Sequence, residues 1–212
     1  MEPSATEPSQ NWPLPAHEDL HERLVAAYSD PRRGYHDIRH LGEVFARLEE
    51  LARAGTAFEQ LPVTLAAWFH DAVYDGERDA EERSAIWAEE SLGSVISAEA
   101  VAEVARLVRM TETHTPDDSD ANGCALSDAD LAILAAPPER YEEYVAAVRT
   151  EFAHLDDSTF KAGRAAVLQG LSDKPRLFHT DYAREHWEAA ARANVTRELG
   201  SLRVQGVSPG TR

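Results

Sequence analysis

The chain has few of the features that would place it by composition alone. It has one cysteine, Cys124, so no internal disulfide can form and the redox compartment is left open. No stretch approaches the roughly 18 consecutive apolar residues that span a bilayer. The opening, "MEPSATEPSQNWPLP", carries acids, prolines and serines where a signal peptide would carry basic and then apolar residues, so a cytoplasmic protein is expected. Bases are scarce: 21 Lys and Arg stand against 38 Asp and Glu, giving a formal charge of −17. That balance argues against a nucleic-acid polymer as partner, because such binding relies on cations that neutralise phosphates. It argues more weakly against an anionic membrane surface. A small phosphorylated ligand stays possible, since a metal ion and a few local cations can reverse the sign inside one pocket.

Strand-like alternation is almost missing, and what fills the chain is helical periodicity. "HEDLHERLVAAYSD" spaces Leu20, Leu24, Val25 and Tyr28 along one face. "HLGEVFARLEELARAG" does the same with Leu41, Val44, Phe45, Leu48 and Leu51, and ends on Gly55 as a helix stop. "PVTLAAWFHDAVY" is apolar nearly all round, which predicts a helix in the middle of the fold. "AEERSAIWAEESLG" and "SAEAVAEVARLVRMTETH" are amphipathic, the second with Ser97 as N-cap. After the polar "TPDDSDANG" come "ALSDADLAILAA", "PPERYEEYVAAVRTEFAHL", "DSTFKAGRAAVLQGLSD" and a last helix near "DYAREHWEAAARANVTRELG". No repeat or domain break is visible. The expectation is a single all-α helical bundle over residues 16–202, of eight or nine helices, with a disordered tail at 1–15 and a flexible one at 203–212.

Against that background the pair His70-Asp71 stands out, because it closes an apolar run where both side chains must find partners. One reading is a hydrogen-bonded pair or a helix-end cap. Upstream, His36 and His40 are spaced i, i+4, and "DADL" downstream offers Asp128 and Asp130. Imidazole nitrogens and carboxylate oxygens together suit Mn²⁺, Fe²⁺, Co²⁺, Zn²⁺ or Mg²⁺. Ligands scattered over helical segments are how bundles build an internal metal site.

The order His40, His70-Asp71, Asp130 resembles the H…HD…D signature of the HD-domain superfamily of metal-dependent phosphohydrolases. "YHDIRH", "WFHDAVYD", "EERSA" and "DADLAILA" are similar to segments of a small bacterial branch of it, and the likeness runs over about residues 20 to 200. The resemblance implies a central metal held by His40, His70, Asp71 and Asp130, with Asp130 preferred to Asp128. It implies hydrolysis of a phosphate ester or anhydride, of a nucleotide by the same resemblance, with the metal supplying hydroxide at neutral pH. Asp71 then counts as catalytic as well as ligating. "YHDIRH" is also similar to the "YHN-x-x-H" of cyclic-nucleotide phosphodiesterases, which implies a proton-donating role for His36; here Asp37 replaces the asparagine.

The transferred phosphoryl group also needs positive charge on its oxygens, for which Arg39, His114 and Lys161 are the candidates. His114 has an equal alternative as a solvent-facing loop residue. Glu82 and Asp128 are candidates to support the ligands from behind. Arg164 and Arg192 read as salt-bridge residues, and the remaining histidines as surface residues.

Three rival readings remain. "HDIRH" nearly matches a zinc-protease H-E-x-x-H helix but has Asp37 where Glu is required, and it leaves the His-Asp pair unexplained. An HD-type di-iron oxygenase needs further histidines between residues 71 and 130, where only His114 occurs. A non-catalytic ligand sensor that keeps the metal for structure fits the same residues.

Overall fold

A computed structural model describes residues 8–76 and 79–205. Ten α-helices follow one another and no strand occurs among the described residues: α1 (Glu18–Tyr28), α2 (Ile38–Arg53), α3 (Gln60–Phe69), α4 (Ala80–Leu92), α5 (Ala98–Met110), α6 (Ala121–Leu131), α7 (Pro138–Glu151), α8 (Asp157–Asp173), α9 (Asp181–His186) and α10 (Glu188–Gln205). The all-α bundle expected from periodicity is what forms.

The sequence pattern explains the layering. α3 buries Val63 and the run Leu65 to Phe69, an apolar surface too wide for a helix with a solvent face, and it packs against α2, α4, α5 and α6. α2 buries Leu41, Val44, Phe45, Leu48 and Leu51, the stripe its spacing predicts, and Gly55 follows it with φ +89. Ser97 caps α5 by accepting the Ala100 N–H. The C-terminal layer is α8 and α9 packed on α10, with α10 also resting on a short 3₁₀ turn, Ala132–Ala135, that follows α6.

Four boundaries differ from the expectation. The last helical pattern is two helices, because the chain turns at Trp187 (φ −112). That turn buries the indole against Phe178 and Tyr182 and brings the Glu188 carboxylate onto the Leu177 and Phe178 N–H groups. α6 begins at Ala121, inside the stretch expected to be loop, because Asp120 caps it through the Gly123 N–H at 2.9 Å.

Residues 8–14, expected in the tail, are packed: Trp12 stacks on His21 and meets the edge of Trp68, whose own Nε1–H donates to the Asn11 carbonyl. At the other end α10 runs to Gln205, past the expected domain limit. The rest of both expected tails, 1–7 and 206–212, lies outside the described residues.

Candidate metal centre

The middle of the fold is where α2, α3 and α6 meet, and each brings polar side chains to it. His40 lies in the first turn of α2, placed there by Asp37, whose carboxylate accepts the Arg39 and His40 N–H groups at 2.9 and 3.1 Å. Aspartate and asparagine cap helices equally well, so the departure at Asp37 leaves this helix start intact. His70 ends α3 and Asp71 follows it in the turn. Asp130 is the penultimate residue of α6. Four residues spread over 91 positions thus converge.

His40 Nε2 lies 3.2 Å from His70 Nε2, 3.5 Å from Asp71 Oδ2 and 3.2 Å from Asp130 Oδ1. His70 Nε2 lies 3.2 Å from Asp71 Oδ2 and 3.7 Å from Asp130 Oδ1. Donors bound about 2.1 Å from one centre, at tetrahedral or octahedral angles, are separated by about 3.0–3.4 Å, so the spacing among His40, His70 and Asp71 is close to what a divalent ion needs. His40, His70 and Asp71 form the only group of three or more potential ligands among the described residues. Both imidazoles are 1% exposed, so an ion here would be held in the interior.

Supporting bonds aim the donors inward. His70 Nδ1–H donates to the Ala67 carbonyl at 2.8 Å, which leaves the Nε2 lone pair facing the cluster. The Tyr28 hydroxyl accepts the Asp71 N–H at 3.2 Å. The electrostatics ask for a cation. Burial opposes charge on every member, yet Asp130 and Asp71 lift the His40 imidazole to about 10, and both carboxylates are held below their usual range by the histidines around them.

His36 lies just before α2 rather than in its first turn, yet its ring centroid is 5.7 Å from that of His40. It bonds neither Asp71 nor Asp128. Its Nδ1 donates to Glu151 Oε2 at 2.8 Å, while Glu151 Oε1 accepts the N–H groups of Gly34, Tyr35 and His36 at 3.1, 2.8 and 2.8 Å. Although burial opposes it, the bond from His36 holds Glu151 ionised, below the ordinary glutamate range. Tyr74 stacks on the other face of His36, centroids 4.1 Å apart. The ring is therefore fixed by its Nδ1 side and retains Nε2.

The other expected residues divide. His114 reaches the cluster: its Nε2 lies 3.6 Å from Asp130 Oδ2 and its Nδ1 3.2 Å from the Ser127 hydroxyl. It adopts φ +49, a backbone conformation rare outside glycine, and Lys174 Nζ bonds its carbonyl at 3.1 Å. Arg39 stands on the rim of an adjoining cleft, paired with Glu143 and Glu43. Glu82 faces outward to Arg109. Within "EERSA" it is Ser84, fully buried, that reaches back to the site by accepting the Val73 N–H at 3.0 Å. Asp128 bonds away from the cluster, to the His179 and Thr180 N–H groups at 2.8 and 2.7 Å, and burial pushes its carboxyl up to about 6. Lys161 stands on α8 beside Asp157 and joins no cluster residue.

Beyond the ligand set, sequence reasoning passes over Glu151 and Arg33. Arg33 donates to the carbonyls of His36, Asp71 and Ala72 at 2.8, 2.7 and 3.0 Å, tying the loop before α2 to the turn after α3. Its place in "RRGYH" was a visible hint, being the last cation before the histidine segment; Glu151 has no local signal at all.

The cleft has a volume of about 780 Å³ and reaches the cluster from the side of His40 and Asp130. No family model, no curated protein and no solved structure matches this chain.

Proposed function

We propose that the chain is a metal-dependent hydrolase of phosphate esters or anhydrides, with a nucleotide as substrate by the HD-domain resemblance. One observation carries the reading: His40, His70 and Asp71 bring donor atoms within 4.8 Å of one another in a buried space, with Asp130 3.2 Å from His40 beside them. A divalent ion bound there would supply Lewis acidity, stabilising charge on phosphoryl oxygens and bringing the ionisation of water toward neutral pH.

The chain's own residues supply the rest. His40, His70, Asp71 and Asp130 hold the ion. His36 has Nδ1 committed to Glu151, so Nε2 is the atom that can pass a proton to a leaving oxygen. His114, with Nε2 3.6 Å from Asp130 Oδ2, would bond a phosphoryl oxygen in this reading. The surrounding helices bury both imidazoles, which strengthens their electrostatic contacts.

The test has two stages. Elemental analysis of the native protein should find about one divalent ion per chain, lost from His70→Ala and Asp71→Ala proteins that remain helical by circular dichroism. Full occupancy in both variants would reject the site. The loaded protein should then turn over a member of a panel of phosphomonoesters, cyclic nucleotides, dinucleotides and nucleoside triphosphates with Mn²⁺, Mg²⁺, Co²⁺ or Ni²⁺. Bound metal with no turnover of any class would favour the sensor reading.

A further inference from the structure

The cleft beside His40 and Asp130 carries an inference that rests on the phosphohydrolase reading and narrows its substrate. We infer that this cleft holds the body of the substrate and selects a single phosphoryl group on an uncharged polar body over a polyphosphate chain.

The volume, about 780 Å³, is that of a small-molecule site. Two of the cluster residues, His40 and Asp130, line it together with Glu43, Val44 and Arg47 of α2. His40 and Arg47 are one face and two turns apart, about 10 Å at 1.5 Å per residue. A phosphoryl group at the cluster therefore leaves space for a body the size of a sugar or nucleoside, not for a long chain. The floor is apolar, from Val44, Ala129, Ile133 and Ala136.

The charges on the walls decide what that body carries. Three arginines, Arg39, Arg47 and Arg140, line the cleft, and each is already engaged. Arg140 holds Glu43 in a two-point bond at 2.7 and 2.8 Å, Arg39 holds Glu143 at 2.9 Å, and Arg47 holds Glu50 at 2.6 Å. Glu43, Glu139 and Glu143 line the same walls, and Glu139 has no ion pair among the described residues. The walls are balanced or slightly negative. A single phosphoryl group can rest at the cluster, where the ion supplies positive charge. A second and third phosphate would lie between the glutamates, and any arginine turned toward them would leave a carboxylate unpaired. Neutral hydroxyls and ring nitrogens meet no such penalty, since both signs of wall residue can bond them.

Calorimetric titration of the metal-loaded protein with inorganic phosphate, AMP, ADP and ATP, with metal content checked afterwards, tests this. Adenosine is the common body in the last three. Affinity is expected to fall from AMP to ATP. In Glu139→Lys/Glu143→Lys protein, shown folded by circular dichroism, ATP affinity should rise about tenfold or more with AMP changed far less. ATP binding as tightly as AMP or tighter in the native protein, or a double variant with an unchanged ratio, would overturn the inference while leaving the hydrolase reading standing. Binding of inorganic phosphate without AMP would also overturn it, because the cleft would then hold no such body. Failure of even inorganic phosphate to bind would remove the hydrolase reading and the inference with it.

Discussion

The bond from His36 Nδ1 to Glu151 leaves that ring a single nitrogen for chemistry, and the packing of Tyr74 on its face leaves it one orientation. A proton donor held this way should be separable from the metal site. His36→Ala is expected to keep its metal and lose about 10²–10⁴-fold in rate on a substrate with a poor leaving group. The loss should shrink for a nitrophenyl ester, whose leaving group needs no proton. A variant that loses metal, with equal defects for good and poor leaving groups, would instead make His36 a prop for the ligand set. The candidate ligands were legible in the sequence because each sits in its own short motif and their order along the chain is distinctive. Glu151 was not, because it lies 115 positions from the histidine it holds and ends an ordinary amphipathic helix. What separates Asp130 from Asp128 is geometry that no spacing reveals: Asp130 lies 3.2 Å from His40, while Asp128 spends both oxygens on the backbone that starts α9.

At the scale of elements, the joint between the loop before α2 and the end of α7 controls the geometry around His36. A Cβ at Gly34 would be driven into the Ala147 carbonyl oxygen and the Glu151 side chain. Gly34→Ala should cost about 1–3 kcal/mol by forcing these apart, measured by urea unfolding, and should lower activity without lowering metal content. Full stability in that variant would mean the two segments are not held together as described.

The same joint has a pH signature. The Glu151 carboxyl is held below its ordinary value of 4.5, so its ionisation stabilises the fold at pH values above 4.5. That stabilisation is lost as pH falls from 4.5 through the lower folded value. The stability gap between native and Glu151→Gln protein should therefore be widest near pH 7 and narrow in acid; a gap that does not change with pH would mean the carboxylate charge contributes nothing. Periodicity predicted most helices because their buried stripes are local facts. It missed the break at Trp187 because that turn is set by what the indole meets, Phe178 and Tyr182, and by a bond to Glu50 far away in α2.

For the whole molecule, the site is also a joint between α2, α3 and α6, which have no covalent link nearer than their loops. An ion held by the proposed ligands His40, His70, Asp71 and Asp130 would bridge those helices only in the folded chain, so it should stabilise folding by mass action. Free metal at a hundred times Kd corresponds to about 2.7 kcal/mol. For a chain of this size each kcal/mol moves Tm by about 2–4 °C, so removing the ion should lower Tm by roughly 5–10 °C. Trp12 provides a contrast. It packs on His21 and Trp68, away from the cluster, so Trp12→Ala should lower Tm by a similar order without changing metal content or the response to chelator. A melting series with and without chelator on native, His70→Ala and Trp12→Ala proteins separates the two supports. The native and Trp12→Ala curves should shift with chelator and the His70→Ala curve should not. Equal shifts in all three would mean that whatever metal stabilises the chain is bound somewhere other than the centre of the bundle.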